Sequence, residues 1–148
     1  MSGLIPDPIL SHYPDFRAAL TAANLPLDDV DEEGRFFTRF ASAEGKVIGF
    51  GGLEPYDGDV LLRSVVVLPD YRGLGFGRDI VEDMLSLAAS EFGAVRAYLF
   101  TTAANSFFEH CGFKRLAREA APTTILSTRQ ATTFCSTADL LMRPLGVQ

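Results

Sequence analysis

The apolar positions of this chain change period several times, and each change marks an element. Val47 to Leu53 and Val60 to Leu68 are largely apolar runs, the second ending in the β-branched stretch Val65-Val66-Val67, and they are bounded by the turn signals Glu44-Gly45-Lys46 and Asp57-Gly58. With Arg35 to Ala41 before them they read as three antiparallel strands. Upstream, Leu4 to Leu10 carries two prolines and suits a short edge strand. Pro14 opens a helix to about Ala23, with Phe16, Ala19, Leu20 and Ala23 on one face, and Asn24-Leu25-Pro26 ends it. Downstream the period lengthens to about 3.6 residues. Ile80, Val81, Met84, Leu85, Leu87 and Ala88 form the stripe of a helix from about Gly75 to Glu91, stopped by Gly93. Val95 to Thr101 reads as a strand, Ala104 to Cys111 as a short helix closed by Gly112, and Phe113 to Leu116 as a strand. Pro122 to about Gln130 reads as helical, and Ala138 to Arg143 as a closing strand. The order is β-α-β-β-β-α-β-α-β-(α)-β.

Composition narrows the class. The 148 residues suit one domain, 1–148, with a sizeable core. No apolar run approaches the ~20 residues that span a bilayer, and Met1 to Leu10 lacks the basic start of a signal peptide, so a cytoplasmic protein with no membrane partner is expected. A net charge of −6 argues against nucleic acid as a partner. Cys111 and Cys135 lack metal-ligand spacing and read as small thiols in a reducing compartment; no metal is expected. The run Asp28-Asp29-Val30-Asp31-Glu32-Glu33 reads as a solvated loop or helix start.

One junction carries chemistry. Val65-Val66-Val67-Leu68 feeds Pro69-Asp70, and three glycines at alternate positions, Gly73, Gly75 and Gly77, lead into the long helix. Glycines at a strand-to-helix junction let backbone N–H groups approach a ligand, and the helix N-terminus favours negative charge, so the junction reads as a pyrophosphate cradle. A dinucleotide-binding Rossmann unit does not suit it, because the glycines follow antiparallel hairpins in mid-chain and no acidic residue closes the following strand.

The run Val67 to Arg78 (VLPDYRGLGFGR) resembles the acetyl-CoA-binding motif of the GCN5-related N-acetyltransferases (GNAT), and Phe107-Phe108-Glu109-His110-Cys111-Gly112-Phe113 resembles that family's second signature. The resemblance covers nearly the whole chain. It implies an α/β (α+β) fold with a mixed central sheet of about six to seven strands flanked by helices. Gly51 to Tyr56, Leu62-Arg63-Ser64, Thr101-Thr102 and Arg118 to Pro122 are further similar to a subgroup found in arsenic-resistance operons, itself similar to the acetyltransferase domain of N-acetylglutamate synthases.

The resemblance implies acetyl-CoA as co-substrate and roles for named residues. Arg72, Gly73, Leu74, Gly75, Phe76, Gly77 and Arg78 would hold the diphosphate, with Phe107 and Phe108 beside the cofactor. Backbone N–H groups of Val65, Val66 and Val67 would polarise the thioester carbonyl. Glu54, near the end of its strand, is the candidate base, against a plain strand-end acid facing water. Strict alternation puts Leu61, Arg63, Val65 and Val67 on one face. An arginine in phase with valines needs a partner: either a substrate carboxylate, held by a two-point clamp, or a neighbour such as Glu54 or Asp59. Leu25 in the loop after the first helix, and Arg129 in the tail, are candidate acceptor contacts. Phe108 departs from the family's tyrosine, which protonates the departing sulfur. Tyr71, Tyr98, Thr101 and Thr102 are the alternative hydroxyls. His110 and Cys111 read as structural.

The expected function is N-acetyl transfer from acetyl-CoA to a small, carboxylated, amino-acid-like amine, with arsenic-resistance association. The alternatives are an N-acetylglutamate-synthase-like enzyme and a non-catalytic acyl-CoA-binding module. By analogy, a homodimer would form through Phe134 to Met142.

Overall fold

Seven strands form one sheet in the order β1-β2-β3-β4-β5-β7-β6 in the computed structural model, which describes residues 3–134 and 136–146. Cys135 lies outside the described residues. The strands are β1 (Ile5–Ile9), β2 (Phe36–Ala41), β3 (Val47–Tyr56), β4 (Asp59–Val67), β5 (Arg96–Thr101), β6 (Lys114–Arg115) and β7 (Asp139–Pro144). The helices are α1 (Pro14–Ala22), α2 (Phe76–Phe92), α3 (Asn105–His110) and α4 (Thr123–Leu126). Strands β1 to β4 are antiparallel, β4 and β5 are parallel, and β7 inserts antiparallel between β5 and β6. The sheet is thus mixed and flanked by helices, as the GNAT resemblance implies.

The two faces carry separate cores. Ile80, Val81, Met84, Leu85 and Ala88 of α2 pack on Phe40, Ile48, Leu53, Val60, Leu62 and Leu99. On the opposite face, Phe16, Ala19 and Leu20 of α1 pack on Phe37, Phe50 and Val66, with the Phe16 ring 4.7 Å from Phe37 and 5.4 Å from Phe50. Ile125 of α4 joins Leu61, Tyr98 and Leu140 in a third cluster.

Two features open the sheet where the glycine junction begins. In β4, Ser64 and Val65 together face Gly51 of β3, and Ser64 takes φ +57°, which makes a β-bulge. The extra residue overturns strict alternation. Val65 and Val67 fall in phase with Val60 and Leu62 toward α2, whereas Arg63 falls in phase with Leu61 and Val66 on the α1 face. The second feature is the β4–β5 pairing, which covers only Asp59–Leu61 against Arg96–Tyr98. Beyond it the two strands diverge, and a wedge opens between Leu62–Val67 and Leu99–Thr101.

Chain positions read from periodicity fall within a residue or two of most observed elements; β3 runs three residues past the expected end at Leu53, to Tyr56, and two further differences stand out. The helix expected from Pro122 to Gln130 is a single turn, α4, followed by a π-type turn at Gln130–Phe134. Thr128 breaks its continuity: its hydroxyl donates to the Ile125 carbonyl at 2.8 Å and accepts the Ala131 N–H at 3.2 Å. The acidic run is not simply solvated either, because Asp29 is fully buried and Val30 nearly so.

Candidate active site

A cavity of about 1020 Å³ fills the wedge. One wall is Leu62 to Val65 with Val67, and the opposite wall is Leu99 to Ala104. Gly73, Gly75, Gly77 and Arg78 form one end, Phe107 and Phe108 of α3 close a side, and Asn24, Leu25, Pro26 and Gln130 line the rest.

The cradle end follows from local backbone. Gly73 and Gly75 adopt φ +77° and +88°, a region costly for residues with a Cβ, and a Cβ at either would meet only open space. The glycines are therefore set by turn conformation, and the room above them is available to a ligand. Gly75 is the N-cap of α2, whose 17 residues direct their N-terminal dipole at the cavity. Gly77 has a different reason: a Cβ there would come within 3.1 Å of the Phe107 ring. Arg72 donates from Nε to the Val67 carbonyl at 2.9 Å, which ties the loop to the end of β4. Leu68 N–H bonds to the Ile48 carbonyl at 2.8 Å, so Leu68 faces β3 and its neighbour Val67 turns its N–H and C=O to the open wedge. The cradle has open space, fixed N–H groups and two arginines, which suits a diphosphate on a thioester cofactor.

The remaining cofactor expectations divide. Val65, Val67, Arg72, Gly73, Gly75, Gly77, Arg78, Phe107 and Phe108 line the cavity. The Val66 side chain does not; it is buried in the α1-side core. Leu74 is exposed, and Phe76 packs edge-on against Tyr71 at 6.2 Å. Of the hydroxyls considered for the leaving sulfur, Tyr71, Thr101 and Thr102 line the cavity, and Tyr98 points to the α4 cluster instead. Thr101 Oγ1 accepts the Ala104 N–H at 3.0 Å, which leaves its own proton to donate.

Arg63 reaches the cavity wall, but its guanidinium is held by protein carboxylates. Nη1 donates to Asp29 Oδ2 at 2.6 Å and to Glu54 Oε2 at 2.8 Å, Nη2 to Asp29 Oδ1 at 2.7 Å, and Nε to Ser64 Oγ at 3.2 Å. Of the neighbours considered, Glu54 is a partner, and Asp59 is paired with Arg96 instead. Glu54 does not face water: it is fully buried and its Oε1 accepts the Tyr56 hydroxyl at 2.6 Å. Arg35 adds a second cation, 3.0 Å from Asp29 Oδ2 and 3.7 Å from Glu54 Oε1. Burial alone would raise the pKa of Asp29; hydrogen bonds and charge from Arg63 and then Arg35 outweigh it, and the carboxyl sits below its ordinary range. Burial likewise works against the charge of Arg63, and Asp29 and Glu54 more than restore it. Burial and the Glu54 carboxylate raise the Tyr56 phenol.

Leu25 lines the cavity as expected. Arg129 is not among the lining residues and bonds Glu32. His110 is exposed, with Nδ1 against the Ser106 carbonyl, and the buried Cys111 thiol is pushed up by burial. Sequence reasoning missed Asp29, Arg35 and Ser64. The signal for Asp29 was present: a cation on an apolar strand needs an acid, and the densest source of acids in the chain is Asp28 to Glu33.

The comparisons with known proteins agree with this geometry. Residues 32–115 match the acetyltransferase (GNAT) domain family. Among curated proteins no sequence matches this chain. N-acetylglutamate synthase from Neisseria gonorrhoeae, solved with coenzyme A and L-arginine, aligns with TM-score 0.77 at 16% identity over 99% of this chain and 34% of its own. The chain thus spans about a third of that synthase's length. A GNAT-family acetyltransferase from Staphylococcus aureus aligns with TM-score 0.71 at 17% identity over 96% of this chain and all of its own. A spermidine N-acetyltransferase chimera from Vibrio cholerae and hSSAT aligns with TM-score 0.66 at 14% identity, over 97% of this chain and 96% of its own. With the motif, the splayed strands and the family match in agreement, the chain belongs to the GNAT acetyltransferase domain family.

Proposed function

We propose that acetyl passes from acetyl-CoA to the amine of a small, amino-acid-like acceptor inside the β4–β5 wedge. The observation that carries this reading is the cavity itself, which runs from the glycine cradle to the loop Asn24–Pro26 without interruption. A thioester laid along β4 would meet the Val67 N–H as its carbonyl oxygen gains charge. The amine would approach from the Leu25–Pro26 end and attack directly, with no acyl-enzyme intermediate.

Two parts of the acceptor chemistry take a different form from the sequence expectation. Arg63 and Arg129 already bind Asp29, Glu54 and Glu32, so an acceptor carboxylate would be read by neutral groups, Ser64, Thr102 and Asn24, rather than by an open arginine fork. Glu54 lies outside the cavity lining, behind Arg63, and the ammonium proton would leave through water at Ser64 and Thr101. The thiolate would take its proton from Thr101 or Tyr71, since Phe108 has none to give. The resemblance to arsenic-resistance enzymes favours glutamate-like acceptors, including phosphorus and arsenic analogues. A homodimer through segment 134–142 belongs to the same reading.

The test is thiol release from acetyl-CoA with L-glutamate, its phosphorus and arsenic analogues, spermidine and an uncharged alkylamine, for wild-type protein and Glu54→Gln. Saturable release with a carboxylated amine supports the reading. Release with the alkylamine or spermidine alone would remove the amino-acid-like acceptor. If Glu54→Gln erases the acidic limb of the kcat/KM profile while coenzyme A binding stays intact, Glu54 is the base after all.

A further inference from the structure

Four separate chain segments meet in one buried, charge-balanced cluster: Asp29 from the α1–β2 loop, Arg35 beside β2, Glu54 from β3 and Arg63 from β4. The Asp29–Arg63 pair within it has two-point geometry and no side-chain exposure at either partner. Such pairs contribute little net stability compared with apolar residues of the same shape, because desolvation offsets the attraction. What they do supply is direction, since both partners must hold one geometry to satisfy their donors and acceptors.

The direction here bears on the cavity. Arg63 is bonded through Nε to Ser64, the φ +57° residue of the bulge that starts the open part of β4. Asp29 lies three residues after Pro26 in the loop that supplies Asn24, Leu25 and Pro26 to the opposite end of the cavity. The loop has its own attachments: Leu25 N–H to the Leu20 carbonyl at 2.9 Å, Val30 N–H to the Leu27 carbonyl at 3.2 Å, and Val30 in the α1-side core. The two hydrogen bonds fix the loop to α1 and to itself, and Val30 packs it against the sheet through Phe37, Phe50 and Val66. Apolar packing is non-directional, and the two-point Asp29–Arg63 pair is the directional contact between the loop and β4.

We propose that Asp29 is a positioning residue for acetyl transfer: its two-point bond to Arg63 holds the acceptor-side wall Asn24–Pro26 in register with the Ser64 bulge and thereby sets how tightly the cavity holds the attacking amine. This role rests on the reading that the acceptor enters past Leu25 and Pro26. It touches neither the glycine cradle nor the Val67 N–H, so cofactor binding is independent of it.

The experiment compares wild-type protein with Asp29→Asn and with Arg63→Lys, which keeps the charge but lacks the fork. Steady-state rates are taken with L-glutamate and with an uncharged alkylamine. Amide hydrogen exchange is followed in the coenzyme A-bound protein. The expected result is a rise of about tenfold or more in acceptor KM with acetyl-CoA KM changed by less than about twofold, since a charge-assisted bond is lost only on the acceptor side. Amides of residues 24–30 should also exchange about tenfold faster while those of β3 and β4 do not. Equal rises in both KM values would overturn the proposal, as would an unchanged acceptor KM or unchanged exchange at 24–30. A lower KM for L-glutamate would overturn it too, because Asp29 would then be blocking Arg63 from substrate. Faster exchange at 24–30 with turnover on the alkylamine alone, and the same rise in its KM in the variants, would support the positioning role and count against the amino-acid acceptor. Should Asp29→Asn fail to fold, the same readouts on Arg63→Lys decide.

Discussion

At Gly75 the chain needs a conformation more than it needs space. Its φ of +88° and the empty volume around it mean that alanine would strain the backbone without striking a neighbour. Left-handed backbone costs a residue with a Cβ roughly 1–2 kcal/mol. Gly75→Ala is therefore expected to lower the melting temperature modestly and to weaken coenzyme A about tenfold by turning the α2 N-cap, measured by calorimetry. Gly77→Ala would act by contact with Phe107 instead. Asp29 carries the pH dependence at this scale. Its native pKa lies below its unfolded one, so its contribution to stability is fully present above the ordinary carboxylate range. That contribution is lost as pH falls through the depressed native value. Urea unfolding of wild-type protein should show stability falling from about pH 5 downward, and Asp29→Asn should show a shallower acid slope. Parallel slopes would contradict the pairing.

Among the elements, β3 and β4 illustrate what periodicity reads and what it leaves out. The hairpin turns, the α2 stripe and the glycine junction were legible because each rests on local chemistry: turn residues, a helical period, a strand-to-helix break. The bulge at Ser64–Val65 was not. A single inserted residue leaves the composition of β4 unchanged while moving Arg63 to the opposite face from Val65 and Val67. Nor did the acidic run by itself disclose which of its acids is buried, since the partners of Asp29 lie 6 and 34 positions away. The β3 glycines show the same limit. A Cβ on Gly49 would sit 2.2 Å from the Val66 carbonyl oxygen and 2.9 Å from Ile80 Cδ1. Gly49→Ala is expected to cost about 1–3 kcal/mol by overpacking, read as a lower denaturation midpoint at unchanged m. A neutral effect would mean that β4 and α2 do not press on β3 this closely.

For the whole molecule, the decisive feature is that a parallel strand pair is joined at one end and open at the other. Three paired residues hold β4 to β5, α2 and α3 brace one side, and the buried cluster of Asp29, Glu54, Arg35 and Arg63 braces the other. The wedge between them is where backbone N–H groups of β4, the α2 N-terminus and the acceptor loop converge. A smaller cavity of about 430 Å³ lies elsewhere, between β1 and α2, lined by Leu4, Pro6, Phe40 and Leu87. It has no glycine cradle and no arginine among its lining residues. The measurement that tests the central claim most directly is amide hydrogen exchange with and without saturating coenzyme A. The account predicts slowed exchange at Val67 and at Gly73 to Arg78, with the β1–α2 cavity unaffected. Slowed exchange confined to residues around Leu4, Phe40 and Leu87, or none at the cradle, would contradict it.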